Sequence, residues 1–175
     1  MAELIVIEGK EYIDDGIYER MYLYITNPKK AISGLVGSSF VYIGNGAVDV
    51  GSQMRMVSNS LNGNKKGQVL RHFVLSFDRY DEDWITPMIA YQIAERFVNF
   101  FDGFQTVFAV HENTENLHIH FMVCSTNFYT GHKFVDKRET YNRIAYLCPA
   151  VIVQQHENRD ERIFCNVIYS NMDID

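Results

Sequence analysis

The sequence predicts an α+β fold built on a largely antiparallel central sheet. The clearest pattern in the chain is a hairpin of two alternating apolar segments, Phe104–His111 and Leu117–Cys124, separated by polar residues typical of a turn. Apart from one short helix candidate and the strand candidates that follow the hairpin, the other predicted elements run strand, helix, strand, strand, helix before the hairpin, with a further helix after it. This order is typical of α+β proteins. With 47% hydrophobic and 14% aromatic residues, residues 1–175 are expected to form one domain with a well-filled core.

The N-terminal half alternates short apolar segments with turn residues. Asp14 or Asp15 is expected to cap its first helix, because such side chains accept hydrogen bonds from the exposed N–H groups of a first turn. Pro28 disfavours a helical conformation at Asn27, so this helix is expected to end close to Tyr24. Five elements are predicted here: a strand at Leu4–Ile7, a helix at Gly16–Ile25, a strand at Phe40–Ile43, a short helix at Ser52–Leu61 and a strand at Val69–Phe77.

The clearest helix of the chain is Pro87–Phe101. Thr86 supplies its N-cap and Pro87 suits its first turn, while Asp83 is an alternative cap one turn earlier. Isoleucine and phenylalanine recur on one face of this helix, which is therefore expected to cover one side of the sheet. Beyond the hairpin, the predicted elements are a strand near His132–Val135, a helix at Arg138–Leu147 that Pro149 ends, and strands at Val151–Gln155 and Ile163–Tyr169.

The charge balance is unusual for a nucleic-acid-binding protein. The formal net charge is −6, whereas Lys and Arg normally neutralise the phosphates along a bound strand. The charges are grouped, however, so a local positive groove on an acidic protein is compatible with the sequence. The acidic groups are Glu11–Asp15, Asp78–Asp83, Glu157–Glu161 and Asp173–Asp175, and the basic ones are Lys29–Lys30, Lys65–Lys66, Arg71, Lys133 and Lys137–Arg138.

The chain has no feature of a secreted or membrane-inserted protein. No apolar run approaches the ~20 residues that span a bilayer, and the N-terminal residues lack the apolar segment of a secretory signal. The three cysteines, Cys124, Cys148 and Cys165, are widely spaced and form neither a disulfide framework nor a zinc-binding CxxC pair. The expected location is the cytoplasm.

The candidate functional residues are three histidines at the hairpin turn. Because alternate residues of a strand share a face, His118 and His120 point the same way, while Ile119 points into the core. If the connecting loop spans Glu112–Leu117, His111 lies opposite His118 across the ladder. A single histidine in a strand is more often a structural residue, but half of the six histidines fall within ten residues. Three converging imidazoles predict a metal site with open positions, as in catalytic ions.

The first predicted helix carries three tyrosines, and one of them is set apart. Tyr18 and Tyr22 are four residues apart and share a face, whereas Tyr24 lies about 200° round the helix from Tyr22. Tyr24 also comes just before the segment Asn27–Lys30, which contains two lysines. Tyr18 and Tyr22 are expected to be packing residues, while Tyr24 is open to a packing or a chemical role.

These motifs resemble those of a known family. The run HENTENLHIH, with a histidine seven residues before an H-hydrophobe-H pair, is followed by FMVCSTNFYTGHKF and preceded by RHFVLSF. From about Tyr22 to Phe134, the chain is thereby similar to plasmid mobilisation relaxases of the His-hydrophobe-His single-strand endonuclease superfamily. The resemblance implies a five-stranded antiparallel sheet flanked by helices. It also implies nicking of single-stranded DNA at a transfer origin through a 5′-phosphotyrosyl intermediate.

The resemblance assigns roles to residues as well. YITNPKKA matches the segment that carries the nucleophile in relaxases, which makes Tyr24 the counterpart and Tyr22 the reserve. Asn127 matches an asparagine often found after the metal triad. The implied cofactor is a divalent ion, Mn or Mg in function, with Zn, Co and Ni as alternatives because imidazole binds transition metals more tightly than Mg. The counterparts of the triad are His111, His118 and His120.

Two other functions stay open from the sequence. One is a non-enzymatic relaxase-like module that binds DNA or a transfer-complex protein, and the other is a rolling-circle replication initiator. The outer partners of the histidines, meaning the groups that hydrogen-bond to the ring nitrogens facing away from a metal ion, are also undecided. His72 is either such a partner or an ordinary strand residue. Three carboxylates, each with surface charge as the alternative, are further candidates: Asp78, Glu112 and Glu115.

Overall fold

The computed structural model describes residues 2–9, 12–14, 16–61, 67–78, 84–135, 137–153 and 165–170. A 3₁₀ turn, Val98–Phe101, follows the third helix. In chain order the elements are β1 (Ala2–Ile7), α1 (Ile17–Ile25), β2 (Ala31–Ser39), α2 (Ala47–Leu61), β3 (Leu70–Phe77), α3 (Pro87–Phe97), β4 (Phe104–His111), β5 (His118–Asn127), α4 (Arg138–Val153) and β6 (Cys165–Ser170).

The strands form one sheet in the order β2-β4-β5-β3-β1-β6. All neighbouring strands are antiparallel except β1 and β6, which run parallel at one edge. The predicted α+β fold with a largely antiparallel sheet is therefore confirmed. The sheet has six strands rather than the five that the resemblance implies, because β6 adds to the edge formed by β1.

Helices cover both faces of the sheet. Side chains alternate along β5, so Ile119 and Phe121 enter a core with Phe97 of α3, while Met122 enters a second core with Met21 of α1. The first face packs against α3 and α4, and the second packs against α1 and α2. The sheet is thus buried on both sides over most of its area. No described helix is long and apolar enough to cross a membrane.

The second strand lies earlier in the chain than predicted. The prediction of a strand at Phe40–Ile43 is wrong, because β2 ends at Ser39. Phe40 has a φ of +60°, a left-handed backbone conformation that cannot continue a strand. Aromatic and β-branched residues favour strands where they can pack. Within β2, position 37 has no room for a side chain, since the Phe108 ring fills the space that a Cβ atom at Gly37 would occupy.

Two predictions beyond the hairpin are also wrong. In place of a strand near His132–Val135, one isolated bridge joins Thr126 to Lys133. Helix α4 continues past Pro149, although a proline removes one backbone hydrogen bond from a helix. The turns that precede Pro149 pack against α3 and β6, which stabilises the helix across the proline. The strand predicted at Val151–Gln155 is therefore helical in its first three residues, and the last two lie outside the described residues.

The helix caps agree only in part with the predictions. Thr86 caps α3 as predicted, with its side chain accepting the N–H of Ile89 at 3.3 Å. Helix α1 is capped by Gly16 rather than Asp14, and the Asp14 carboxylate instead accepts the Gly16 N–H at 3.0 Å. The other predicted elements are confirmed with shifted ends. Two alternative caps lie outside the described residues: Asp15 and Asp83.

Candidate metal centre and nucleophile

The hairpin of β4 and β5 brings three histidine rings together. His111 pairs with His118 across the ladder, as the six-residue loop predicts, and His120 follows on the same face. The ring centroids are 5.3 Å apart for His111 and His118, 4.3 Å for His111 and His120, and 5.1 Å for His118 and His120. One nitrogen of each ring lies within 4.8 Å of the others. The predicted role of these histidines as metal ligands stays a prediction.

Backbone carbonyl groups orient two of the rings. His111 Nε2 lies 2.6 Å from the carbonyl oxygen of Ile25, at the end of α1. His118 Nδ1 lies 2.8 Å from the carbonyl oxygen of Asn116, in the hairpin loop. Because a carbonyl oxygen only accepts, each of these nitrogens carries a proton and donates it. The opposite nitrogens, His111 Nδ1 and His118 Nε2, therefore keep a lone pair for a ligand bond.

The third ring is oriented by another histidine. His120 Nδ1 lies 2.8 Å from His72 Nε2, and His72 Nδ1 lies 3.1 Å from the hydroxyl of Tyr12. The nitrogen of His120 left for a ligand is therefore Nε2. Among the described residues, the outer partners of the three histidines are two carbonyl groups, the hydroxyl of Thr114 and one imidazole rather than carboxylates. Among the candidate carboxylates, Glu115 lines the same cleft and Asp78 lines a neighbouring one.

Burial keeps these imidazoles neutral. It lowers the pKa of His72 to about 3 and, despite the opposing hydrogen bond to Ile25, that of His111 to about 4. Burial also lowers the pKa of His118, and it places that of His120 well below the usual value, with the neighbouring histidines adding to the effect. Neutral imidazole is the form that binds metal ions. The donor set therefore fits a divalent ion: three neutral nitrogens, with the second nitrogen of each ring already hydrogen-bonded.

Tyr24 lies beside the histidines. Its ring centroid is 5.6 Å from that of His120 and 6.2 Å from that of His72, in edge-to-face contacts. The ammonium of Lys30 lies 4.4 Å from the centroid of the Tyr24 ring. Burial raises the pKa of Tyr24, so its phenol holds the proton at neutral pH. The hydroxyl of Tyr22 instead donates to the carbonyl of Ile43 at 3.3 Å.

An open cleft gives access to this group of residues. It has a volume of about 580 Å³ and contains Tyr24, Lys30 and the three histidines, with Ile5, Ile7 and the hairpin loop forming its walls. Helices α1 and α2 pack on the histidine face, and the cleft opens beside the end of α1, where Tyr24 lies next to the histidines. Among the described residues that line the cleft, Lys30 is the only lysine or arginine.

Other residues singled out from the sequence lie elsewhere. Asn127 is at the opposite end of β5, where its side chain accepts the N–H groups of Tyr129 and Thr130 and shapes a turn. Lys133 donates to the carbonyl of Gln68 at 2.9 Å. The basic pair 65–66 lies outside the described residues. Sequence reasoning missed Tyr12, and no local pattern marks it, because its partner His72 is 60 residues away.

Fold and site together define the class of domain: an α+β domain with a buried cluster of three histidines and a tyrosine beside it in one cleft. A family model described as relaxase, MobA/VirD2-like, nuclease domain matches residues 24–157. The chain therefore belongs to the MobA/VirD2-like relaxases, a family of single-strand DNA nucleases and transesterases. The matched range begins at Tyr24 and includes all three histidines of the cluster.

Comparison with solved structures supports the same fold. One similar structure, from Staphylococcus aureus, is described as the molecular basis of vancomycin resistance transfer. It matches 75% of this chain and 73% of that chain with a TM-score of 0.51 and 13% sequence identity, a level that shows a shared fold. A search of curated proteins by sequence gives no match.

Proposed function

We propose that this domain nicks single-stranded DNA at a transfer origin, with Tyr24 as the nucleophile, to mobilise a plasmid or an integrative element. One observation carries the choice of nucleophile. The centroid of the Tyr24 ring lies 5.6 Å from that of His120 in the same cleft. The Tyr22 hydroxyl instead donates a hydrogen bond to the carbonyl of Ile43, and neither residue lines the cleft. Family membership supports single-stranded DNA as the substrate.

The three histidines are the proposed ligands of a divalent ion. The nitrogens that would hold it are His111 Nδ1, His118 Nε2 and His120 Nε2, because the other nitrogen of each ring is occupied by a hydrogen bond. When bound, such an ion supplies positive charge that polarises a DNA phosphate. Mn or Mg is the proposed functional ion. Imidazole ligands bind Mn, Co, Ni and Zn more tightly than Mg, so these ions are expected to compete for the site.

The proposed reaction is a transesterification. A bond forms between the Tyr24 oxygen and phosphorus as the bond from phosphorus to the 3′ oxygen breaks, and the phenol proton ends on the 3′ oxygen. The product is a 5′-phosphotyrosyl enzyme with a free 3′-hydroxyl, and attack by that hydroxyl reverses the step without an external energy source. Because burial raises the pKa of Tyr24, the phenol needs help to lose its proton. The Lys30 ammonium beside the ring favours the phenolate.

A second candidate is a non-enzymatic module that binds DNA or another transfer protein. The net charge of −6 favours a protein rather than DNA as the partner of such a module, since strong phosphate binding calls for Lys and Arg along the bound strand. A replication initiator of the rolling-circle type would use the same chemistry at a replication origin, but the match to a relaxase model supports mobilisation. The proposed setting is the cytoplasm, with residues 1–175 acting as one domain alongside other transfer proteins.

A covalent-adduct assay tests the proposal. The protein is incubated with Mn²⁺ and single-stranded oligonucleotides covering the transfer origin of its own element, and adducts are resolved on denaturing gels and located by mass spectrometry. We expect a 5′-phosphotyrosyl adduct on Tyr24 in the wild type and in Tyr22→Phe, and none in Tyr24→Phe. An adduct that survives in Tyr24→Phe would refute the assignment. DNA retained without any adduct would favour the binding module.

A further inference from the structure

We propose that Tyr12 is a positioning residue for the metal site: its buried hydroxyl selects the tautomer of His120 that can bind an ion. This inference rests on the proposed role of the histidines as ligands. Tyr12 is fully buried and does not line the cleft, so it acts through His72. Its hydroxyl lies 3.1 Å from His72 Nδ1, and His72 Nε2 lies 2.8 Å from His120 Nδ1.

This chain of two hydrogen bonds permits two proton arrangements. In the first, His120 Nδ1–H donates to His72 Nε2, and His72 Nδ1–H donates to the oxygen of Tyr12. In the second, the Tyr12 hydroxyl donates to His72 Nδ1, and His72 Nε2–H donates to His120 Nδ1. Neutral imidazole carries one proton, so His120 Nε2 has a free lone pair in the first arrangement and a proton in the second. Only the first arrangement makes His120 a metal ligand.

The Tyr12 oxygen stabilises the arrangement that binds an ion. In that arrangement His72 Nδ1 carries a proton, and Tyr12 supplies the acceptor. His72 is 1% exposed, so without the hydroxyl this N–H would be buried away from water and without that acceptor. Orphaned buried N–H groups are rare in native proteins because the loss of a buried hydrogen bond is costly. Removing the hydroxyl should therefore shift the chain towards the arrangement in which His120 cannot bind.

The first test compares two buried tyrosines whose hydroxyl groups have different hydrogen-bond partners. Tyr12→Phe and Tyr18→Phe each remove one hydroxyl from a fully buried ring, but the Tyr18 hydroxyl donates to the carbonyl of Val69 and lies 3.8 Å from the thiol of Cys124. Mn²⁺ affinity of the full chain is measured by calorimetry or chelator competition, and stability of the metal-free forms by thermal unfolding. We expect Tyr12→Phe to weaken Mn²⁺ binding by about 10- to 100-fold, the range for lost outer partners, with Tyr18→Phe unchanged in affinity.

A second measurement needs no variant and so stands even if Tyr12→Phe fails to fold. Nitrogen NMR of the histidine side chains in the zinc-loaded wild type is expected to show His72 protonated on Nδ1 and bare on Nε2. The opposite tautomer, or equal Mn²⁺ affinity in Tyr12→Phe and wild type, would overturn the inference while leaving the nuclease proposal intact. A wild type that binds no divalent ion would overturn the metal site and this inference together.

Discussion

The two faces of the sheet use the same strands for different purposes. On the face that packs against α3 and α4, residues such as Ile119 and Phe121 are fully buried in an apolar core. On the opposite face, which packs against α1 and α2, His118 and His120 line an open cleft together with Tyr24 at the end of α1. Because adjacent residues of β5 point to opposite faces, one strand supplies both stability and the candidate site. The candidate site lies at the hairpin end of this second face.

The largest expected effect comes from substituting two adjacent residues of β5 that point to opposite faces of the sheet. His118→Ala removes a proposed ligand from the cleft, so Mn²⁺ affinity should fall by more than the 10- to 100-fold typical of a lost outer partner, with little change in stability. Ile119→Ala leaves a cavity in the opposite core and should cost about 2–5 kcal/mol of unfolding free energy. Calorimetric titration and denaturant unfolding measure the two effects. Equal effects of both variants on both quantities would show that the faces are not independent.

A smaller effect is expected on the free energy of unfolding when the pH is lowered. Burial holds the pKa of His111 at about 4, below the 6.5 of an exposed histidine, so the unfolded chain takes up a proton first as the pH falls. The stability of the metal-free protein should therefore be complete above pH 6.5 and decline between pH 6.5 and 4, with His111 alone contributing a loss on the order of 3 kcal/mol. Denaturant unfolding at a series of pH values measures this. A free energy of unfolding that stays constant from pH 7 to pH 5 would contradict the buried, neutral state of the histidines.

The smallest expected effect concerns the cation in the cleft. Lys30→Met keeps the length of the side chain but removes the charge beside Tyr24, so the rate of adduct formation should fall about tenfold, equivalent to about 1.4 kcal/mol. Lys29→Met is the matched control, because Lys29 is the adjacent, exposed lysine and does not line the cleft. Single-turnover rates with saturating oligonucleotide measure both. An equal loss in the two variants would indicate a general effect of lost positive charge rather than a role beside the phenol.

The hairpin and its histidines follow closely from the sequence. The alternation of apolar residues identifies both strands, and the loop length fixes His111 opposite His118. Helical spacing also separates Tyr24 from Tyr18 and Tyr22, and the structure places Tyr24 in the cleft. These features depend on local periodicity and on one short connection, which a single sequence reveals. The roles of these residues in metal binding and catalysis stay predictions.

Features that depend on distant contacts could not be predicted in this way. The hydrogen bond between Tyr12 and His72 requires the chain near β1 to lie beside β3. Strand order cannot be inferred from the alternation of apolar and polar residues along a strand. The close approach of Gly37 in β2 to the Phe108 ring of the neighbouring strand likewise joins residues that are far apart in the sequence. Helix α4 crosses Pro149 because its earlier turns pack against other elements. In each case tertiary packing outweighs the local preference of the residues.

The central claim is that three imidazoles hold one ion beside the phenol of Tyr24. Anomalous diffraction from crystals grown with Mn²⁺ tests it most directly. One manganese peak is expected within bonding distance of His111 Nδ1, His118 Nε2 and His120 Nε2, on the side of the cleft that contains Tyr24. Histidine rings that stay apart with no manganese between them, or a peak bound to other residues, would contradict the claim.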